Sequence, residues 1–152
     1  MSSAGDRPHH VLVIEDDAPR LLFTCTVLER AGHTVTGAAS AEDARPLLER
    51  HRPDLILMDL MLPGIDGVQF TRELKQDPRT SRIPILALTG QDMPLYERLA
   101  RDAGCDGFLL KVGSPSVLSA QISDFLEGRS PEPDQEAGRR APVDKPDWLE
   151  PN

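Results

Sequence analysis

The sequence predicts a doubly wound α/β fold, in which one five-stranded parallel sheet carries helices on both faces. Short apolar runs alternate with helical patterns from about residue 9 to residue 128, and such alternation requires parallel strands joined by right-handed crossovers. The run from Leu55 to Met58 is apolar at every position, which is typical of a strand buried on both faces of a parallel sheet.

Each strand is predicted from a short apolar run bounded by turn-forming or charged residues. The five expected strands are Val11 to Ile14, His33 to Gly37, Leu55 to Met58, Ile85 to Leu88 and Asp106 to Leu110. Three of these runs are followed directly by a charged residue, so the strand ends are chemically distinctive.

The helices are predicted from apolar spacing and from signals at their ends. The first helix, which Gly32 should end, has apolar residues at helical spacing: Leu21, Leu22, Cys25 and Leu28. Ser40 with Asp43 resembles a capping box that opens the second helix. Pro46 lies deeper in that helix, where it should remove a hydrogen bond or delay the helix start. Later helices are expected over about Gly67 to Lys75, Pro94 to Ala103 and Ser114-Pro115 to Glu127.

Composition and charge exclude several classes of function. The formal net charge of −8 argues against a nucleic-acid surface, because DNA binding depends largely on Lys and Arg side chains that neutralise phosphates. The N-terminus has no apolar signal-peptide core, and no apolar run approaches the ~18 residues of a membrane span. Cys25 and Cys105 show no paired spacing and are interpreted as reduced packing residues. We therefore expect a cytoplasmic protein that binds neither nucleic acid nor membrane.

One domain is expected over residues 9–128, between a flexible N-terminus at residues 1–8 and a tail at residues 129–152. From Gly128 onwards the chain has five of its fourteen prolines and no apolar periodicity, so this segment should be disordered or docked as an extended arm. The only tryptophan, Trp148, lies beside Leu149 in this polar tail. The segment from Asp147 to Leu149 is either an anchor for this domain or a partner, or part of a solvated tail.

Charged or hydroxyl side chains follow four of the five predicted strands where those strands end. They are Glu15, Asp16, Asp59, Thr89 and Lys111. Each has an ordinary explanation alone, since acids often cap helices, threonine favours strands and lysine is usually solvated. However, the carboxyl ends of parallel strands meet at one edge of the sheet, where ligands bind in open α/β folds. Their joint placement therefore indicates a functional site.

Three carboxylates at this edge would repel one another. At an effective dielectric constant of ~20, each like-charged pair about 4 Å apart costs roughly 4 kcal/mol. Such a cluster is tolerated where a cation binds, and ligation by carboxylates, a carbonyl and water suits Mg²⁺. A hydroxyl and an ammonium group on flanking strands add the means to hold phosphoryl oxygens. These residue types therefore favour a magnesium-dependent phosphoryl-transfer site.

Four stretches resemble the receiver domain of bacterial two-component response regulators, in the same order and at the same spacing. They are Val11–Asp17, Asp54–Gly67, Ile83–Thr89 and Gly107–Lys111. The resemblance covers about residues 9 to 128 and implies the flavodoxin-like receiver fold.

The resemblance implies a role for each acidic residue of the site. Asp59 would be the phospho-acceptor, and Glu15 and Asp16 would hold Mg²⁺ together with it. The main-chain carbonyl of Met61 would complete the metal site. The apolar side chain of Met61 offers no group to orient an attacking water, so the lifetime of the phosphoryl group is left open.

The resemblance also implies roles at the two strands that follow. Thr89 would be the switch hydroxyl that follows the phosphoryl group, and Lys111 would pair with that group. Phe108 matches the aromatic residue that turns inward on activation in the family, although core packing also explains it. The sequence departs from the family at Gly90, where alanine is common, and at Val112, where proline is usual.

The expected function is that of a signalling switch rather than an enzyme. A sensor histidine kinase or phosphotransfer protein would donate the phosphoryl group, and the altered surface would bind a downstream protein target. The domain would assist its own phosphotransfer and dephosphorylation, and the tail is too short for a DNA-binding output domain. Two alternatives stay open: a pseudo-receiver that binds partners without phosphorylation, and a flavodoxin-like cofactor binder, which the acidic loop after the first strand disfavours.

Overall fold

The structure, a computed structural model, describes residues 9–90, 94–110 and 114–127, in which strands and helices alternate. The strands are β1 (His10–Ile14), β2 (Thr34–Ala38), β3 (Leu55–Asp59), β4 (Ile85–Thr89) and β5 (Gly107–Leu110). The helices are α1 (Ala18–Arg30), α2 (Ala41–Arg50), α3 (Gly67–Gln76), α4 (Pro94–Ala103) and α5 (Pro115–Leu126). None of these helices is long and apolar enough to cross a bilayer.

The strands form one parallel sheet in the order β2-β1-β3-β4-β5, which confirms the predicted doubly wound fold. The strand order reverses between β1 and β3, and in such sheets ligands bind beyond the carboxyl ends of the strands at that point. Asp59 ends the central strand β3 at this edge and pairs with Leu88 of β4. Thr89 lies one residue beyond Leu88, so it reaches the same edge.

Helices cover both faces of the sheet, because successive strand residues point to opposite sides and both sets are apolar. In β3, Ile56 and Met58 pack with residues of α2 and α3, whereas Leu55 and Leu57 pack with residues of α1 and α5. Phe70 of α3 is the largest fully buried side chain of the described residues. The hydrophobic core is therefore split by the sheet into two layers.

The described residues fall within the predicted domain of residues 9–128. The N-terminus at residues 1–8 and the tail at residues 129–152 lie outside the described residues, as does the segment from Lys111 to Gly113. The expectations for those segments stay predictions.

Three of the four apolar residues predicted in the first helix pack against the core. Leu21 and Cys25 pack against the α1 side of the core, and Leu28 is fully buried there. Leu22, however, is 69% exposed, so it lies outside the packed face although it belongs to the predicted apolar spacing. Each helical residue is turned by about 100° from its predecessor, which places Leu22 beside the face that the other three share. The predicted stop is confirmed, since Gly32 follows α1 with a φ of +98°.

β1 begins one residue earlier than predicted, at His10, whereas β2 and β5 begin one residue later. β2 begins at Thr34, because the N–H of His33 donates to the Leu28 carbonyl at 3.1 Å and belongs to the turn that ends α1. β5 begins after Asp106, whose carboxylate accepts a hydrogen bond from the N–H of Ile85 at 2.8 Å. In both cases local hydrogen bonds set the first residue of the strand.

Four helices begin with a side chain that accepts a hydrogen bond from the backbone N–H three residues later. The pairs are Asp17 with Arg20, Ser40 with Asp43, Asp66 with Gln69 and Ser114 with Val117. The predicted caps at Ser40 and Ser114 are therefore confirmed. Because α2 starts directly after Ser40, Pro46 does not delay the helix, and its effect is the loss of one backbone donor.

The two cysteines are free thiols in packing positions on opposite faces of the sheet. Cys25 packs on the side of α1 and α5, and Cys105 packs on the side of α3. Burial raises the pKa of the Cys25 thiol, and it raises the pKa of the Cys105 thiol to about 11. Both thiols are therefore protonated near neutral pH, which agrees with their interpretation as packing residues.

The four histidines of the chain gather near the amino ends of β1 and β2. The ring centroids of His9 and His33 lie 5.8 Å apart, and those of His10 and His51 lie 6.3 Å apart. Nε2 of His10 lies 2.8 Å from the hydroxyl of Thr36. Burial lowers the pKa of His10 and of His33, and the neighbouring histidine lowers each pKa further. This cluster makes the stability of the domain sensitive to acid.

We expect the free energy of unfolding to decrease as the pH falls below 6.5, the ordinary pKa of histidine. A histidine whose pKa is lowered by folding binds protons more readily in the unfolded chain, so acid favours unfolding. Asp54 beside His10 and Glu127 beside His33 oppose this shift without reversing it. The measurement is urea unfolding at about pH 7.5 and about pH 5.5, which bracket the histidine pKa.

The control is the double variant His10→Gln, His33→Asn. A glutamine amide lies near the position of Nε2, which contacts Thr36, and an asparagine amide lies near Nδ1 of His33, which accepts the N–H of His9 at 3.3 Å. The variant should therefore keep both hydrogen bonds and lose less stability between the two pH values than wild type. An equal loss in both proteins would contradict the prediction.

Candidate functional site

Three acidic side chains meet at the carboxyl edge of the sheet, between the ends of β1 and β3. Glu15, Asp16 and Asp59 each place a carboxylate oxygen within 4.8 Å of the other two. Glu15 and Asp59 are each 1% exposed, whereas Asp16 is exposed. The structure therefore brings together the three predicted carboxylates, with two of them buried and the third at the surface.

Backbone hydrogen bonds orient the two buried carboxylates. Glu15 follows β1 directly, and its Oε2 accepts the N–H of Asp17 at 3.2 Å. Asp59 is the last residue of β3, and its Oδ1 accepts the N–H of Met61 at 3.0 Å. Both carboxylates are thus held by donors from the loops that they begin.

Asp17, the third acid in the loop between β1 and α1, has a different structural role. Its Oδ2 accepts the N–H of Arg20 at 2.9 Å and caps α1. The ordinary explanation of an acid after a strand therefore applies to Asp17, while Glu15 and Asp16 join Asp59. Three consecutive acids are thus divided between a helix cap and the acidic cluster.

The donor set of this cluster fits a small divalent cation such as Mg²⁺. All three ligand atoms are carboxylate oxygens, which are hard donors and suit Mg²⁺ rather than softer metals. Carboxylates this close repel one another, and burial of two of them limits the screening by water. A cation bound between them would neutralise their charges and so remove this repulsion.

A buried hydroxyl lies at the end of the neighbouring strand. Thr89 ends β4 and is 1% exposed, and its Oγ1 makes no hydrogen bond to any of the described residues. Leaving a buried hydroxyl unpaired costs about 1–3 kcal/mol, so an unpaired buried hydroxyl in a native structure usually has a specific explanation. Its position at the same sheet edge as Asp59 suits a hydrogen bond to a ligand bound there.

Gly67, which the sequence predicts only as a helix start, lies directly against the backbone of Asp59 and Leu60. Its N–H donates to the Leu60 carbonyl at 3.1 Å, so α3 begins against the end of β3. A Cβ at this position would lie 2.2 Å from the carbonyl oxygen of Asp59 and 2.7 Å from the Cα of Leu60. Only glycine allows this approach without a shift of one backbone against the other. The available signal was a glycine directly after a capping Asp66.

The structure tests the predictions for the remaining site residues only in part. The side chain of Met61 is 48% exposed, and ligation by its carbonyl stays a prediction. Phe108 is partly buried in the cluster under α4, with the Arg101 guanidinium 4.9 Å from its ring centroid. Packing of Phe108 is therefore observed, and its switch role stays a prediction. Lys111 and Val112 lie outside the described residues.

Comparisons with known proteins indicate a single protein family. A family model described as the response regulator receiver domain matches residues 11–123. The transcriptional regulatory protein AfsQ1 from Streptomyces coelicolor is 39% identical over 119 residues, which are 78% of this chain and 51% of AfsQ1. Protein PilH from Pseudomonas aeruginosa is 33% identical over 118 residues, which are 77% of this chain and 98% of PilH. The chain thus spans about half the length of AfsQ1 and nearly all of PilH.

A solved structure is similar in fold as well as in sequence. The receiver domain of the sensor histidine kinase PA1611 from Pseudomonas aeruginosa matches with a TM-score of 0.72 and 30% identity. The match covers 80% of this chain and 99% of that domain, which is described with a magnesium ion coordinated in its active-site cleft. The acidic cluster of this chain therefore has the composition expected for a receiver metal site.

We expect Asp16→Asn to raise the melting temperature in the absence of metal, because it removes one of three mutually repelling charges. The same change should abolish most of the rise in melting temperature that wild type shows when magnesium is added, since a ligand stabilises the state that binds it. Thermal unfolding with chelator and with magnesium measures both effects.

Asp17→Asn is the matched control for this prediction. It also removes one negative charge from the first loop, but Asp17 caps α1 and asparagine caps helices about as well. Its magnesium response should equal that of wild type. Equal magnesium responses in wild type and Asp16→Asn would show that Asp16 does not hold the metal.

We expect Gly67→Ala to lower the free energy of unfolding by about 1–3 kcal/mol, the range for forced overpacking. Alanine is otherwise favoured over glycine in a helix by about 1 kcal/mol, so a loss would reveal the collision with the backbone of Asp59. The control is Gly37→Ala, whose Cβ would meet only the flexible side chain of Leu21, at 3.2 Å. Urea unfolding of wild type and of both variants measures these free energies. Equal values for wild type and Gly67→Ala would refute the contact with the Asp59 backbone.

Proposed function

The chain belongs to the response regulator receiver domain family, and from that premise we propose that it is a phosphorylation switch of a two-component system with Asp59 as the phospho-acceptor. The observation that carries the proposal is the cluster of Glu15, Asp16 and Asp59 at the carboxyl edge of the sheet. Within that cluster, Asp59 alone ends the central strand and lies beside β4, whose last residue has a buried hydroxyl.

In the proposed reaction, a carboxylate oxygen of Asp59 attacks the phosphorus of a phosphohistidine. A new P–O bond forms as the P–N bond breaks, and the electron pair of that bond leaves with the imidazole nitrogen, which takes up a proton. The product is an acyl phosphate on Asp59. The N–H of Met61, which donates to Oδ1 at 3.0 Å, keeps the carboxylate in one orientation for this attack.

The proposed metal ligands are Glu15, Asp16, Asp59 and the main-chain carbonyl of Met61. Magnesium bound there would supply positive charge for the oxygens of the incoming phosphoryl group. The buried positions of Glu15 and Asp59 support this assignment, because their repulsion is relieved when the site is neutralised.

Two further residues are proposed to bind the phosphoryl group. The hydroxyl of Thr89 would donate to one phosphoryl oxygen, which gives its buried Oγ1 the hydrogen-bond partner that it lacks among the described residues. Lys111 follows β5 in the sequence, next to β4, and its ammonium group would pair with the same charge. Phe108 is proposed to move when Thr89 is drawn towards the phosphoryl group.

The proposed output is a change in a protein-binding surface, not turnover of a substrate. A sensor histidine kinase or phosphotransfer protein would supply the phosphoryl group, and a downstream protein would recognise the altered surface. The domain would assist its own phosphorylation and dephosphorylation through the residues named above. We propose a cytoplasmic location, which the two free thiols support.

Acetyl phosphate with magnesium tests the proposal directly. Wild type should gain the mass of one phosphoryl group as acetate is released, and Asp59→Asn should gain none, because the amide is not a nucleophile for this reaction. Chelation of magnesium should prevent the gain in wild type. Intact-mass spectrometry of the full chain measures each result.

Asp54→Asn is the matched control, because Asp54 precedes the other end of the same strand. Its Oδ2 accepts the N–H of His10 at 2.8 Å, and asparagine keeps an acceptor oxygen there. This variant should be phosphorylated like wild type. Phosphorylation of Asp59→Asn at the wild-type rate would refute the assignment of the acceptor, and no gain of mass in wild type would favour a pseudo-receiver.

A further inference from the structure

A groove of about 450 Å³ lies between α1 and α5, on the opposite face of the sheet from α3. Its lining residues include Phe23, Val27, Arg30, Pro115 and Ser119. Phe23 is 43% exposed, so its ring is available to a binding partner. The groove therefore offers an apolar surface that the described residues leave uncovered.

The chemistry of the groove suits an aromatic side chain with acidic neighbours. Phe23 provides an exposed aromatic surface, Val27, which is only 9% exposed, adds a small aliphatic one, and aromatic pairs add about 0.5–1.5 kcal/mol beyond the area that they bury. Arg30 is the one charged residue among the lining residues, and it is basic. An apolar group flanked by carboxylates would match both properties.

The C-terminal tail of this chain contains such a segment. Trp148 is the only tryptophan of the chain, and Leu149 follows it. Asp147 and Glu150 flank this pair with carboxylates. We propose that the segment Asp147–Glu150 docks in the groove between α1 and α5, with the indole against Phe23 and the carboxylate of Asp147 facing Arg30.

The segment is attached close enough to reach the groove. The tail follows Glu127, the residue that caps the end of α5, and α5 has 12 residues, so it is about 18 Å long. The 20 residues from Gly128 to Asp147 can span at most about 66–72 Å when fully extended. The available chain is therefore several times longer than the helix that it must pass.

Attachment and charge favour this occupant over a second copy of the chain. A tethered segment is present at an effective concentration in the millimolar range, so a modest affinity is enough to fill the groove. Two copies would instead bring together chains that each have a formal net charge of −8. The tail is thus the occupant that both considerations support.

Tryptophan fluorescence of the full chain tests the docking, because its only tryptophan lies in the tail. A docked indole should emit at a shorter wavelength than one in water. Quenching by acrylamide should fall by about half, since a ring packed on one face loses roughly half of its exposed area. The reference is a peptide of residues 144–152 in the same buffer, and emission and quenching equal to those of the peptide would overturn the proposal.

Substitutions in the groove locate the contact. Phe23→Ser and Arg30→Glu change partly or fully exposed side chains, so the domain should still fold, and each should move the emission towards that of the peptide. Asp147→Lys combined with Arg30→Glu should restore the docked signal. Leu95→Ser on α4, where Leu95 is 64% exposed, is the matched control and should leave the emission unchanged. A docked signal that survives both groove substitutions would overturn the proposal.

Dilution separates the tethered segment from a second copy. A contact within one chain gives the same emission at every protein concentration, whereas a contact between chains is lost on dilution. Emission that is independent of concentration supports the proposal. Loss of the docked signal on dilution would assign the groove to a second copy and overturn it.

Discussion

Repulsion among the carboxylates of Glu15, Asp16 and Asp59 is the constraint on which the carboxyl edge of this structure depends. Two of the three are 1% exposed, so water screens their charges poorly, and they meet because β1 and β3 are neighbours in the sheet. The free energy that offsets this repulsion comes from burial of apolar side chains in the core, since every residue from Leu55 to Met58 is fully buried. The hydrophobic layers on both faces of β3 thus maintain an arrangement that the charges alone would open.

Two neutral groups among the described residues help to position Asp59. The N–H of Met61 orients the carboxylate, and Gly67 lets α3 approach the backbone of Asp59 itself. Phe70 lies one turn further along α3 and is fully buried, so it anchors that helix in the core. The geometry of the acidic cluster therefore depends on the hydrophobic packing of a helix that contributes none of the three carboxylates.

Local patterns were enough to predict the fold and the acidic edge, because burial on both faces makes the inner strands β1, β3 and β4 almost entirely apolar. Glu15 and Asp59 could be placed together because parallel strands end at one edge. Asp16 was correctly predicted as a member of the site, but the cap at Asp17 was not predicted, since consecutive acids look alike until the start of α1 selects one as its cap. The contact of Gly67 with the Asp59 backbone also depends on how α3 packs, which no local pattern encodes.

Strand pairing connects the proposed site to the surface of α4. Thr89 and Ala87 point to the same side of β4, and Ala87 pairs with Phe108 of β5. Alanine is too small to fill space that Thr89 vacates, and Phe108 is the large side chain paired with it, so the proposed switch assigns that role to Phe108. The contact of Phe108 with Arg101 holds its ring weakly, since cation–π pairs contribute about 0.5–1 kcal/mol at exposed sites. In the proposed switch, a shift of Thr89 would reach the α4 surface through Phe108, which also packs in the cluster under α4.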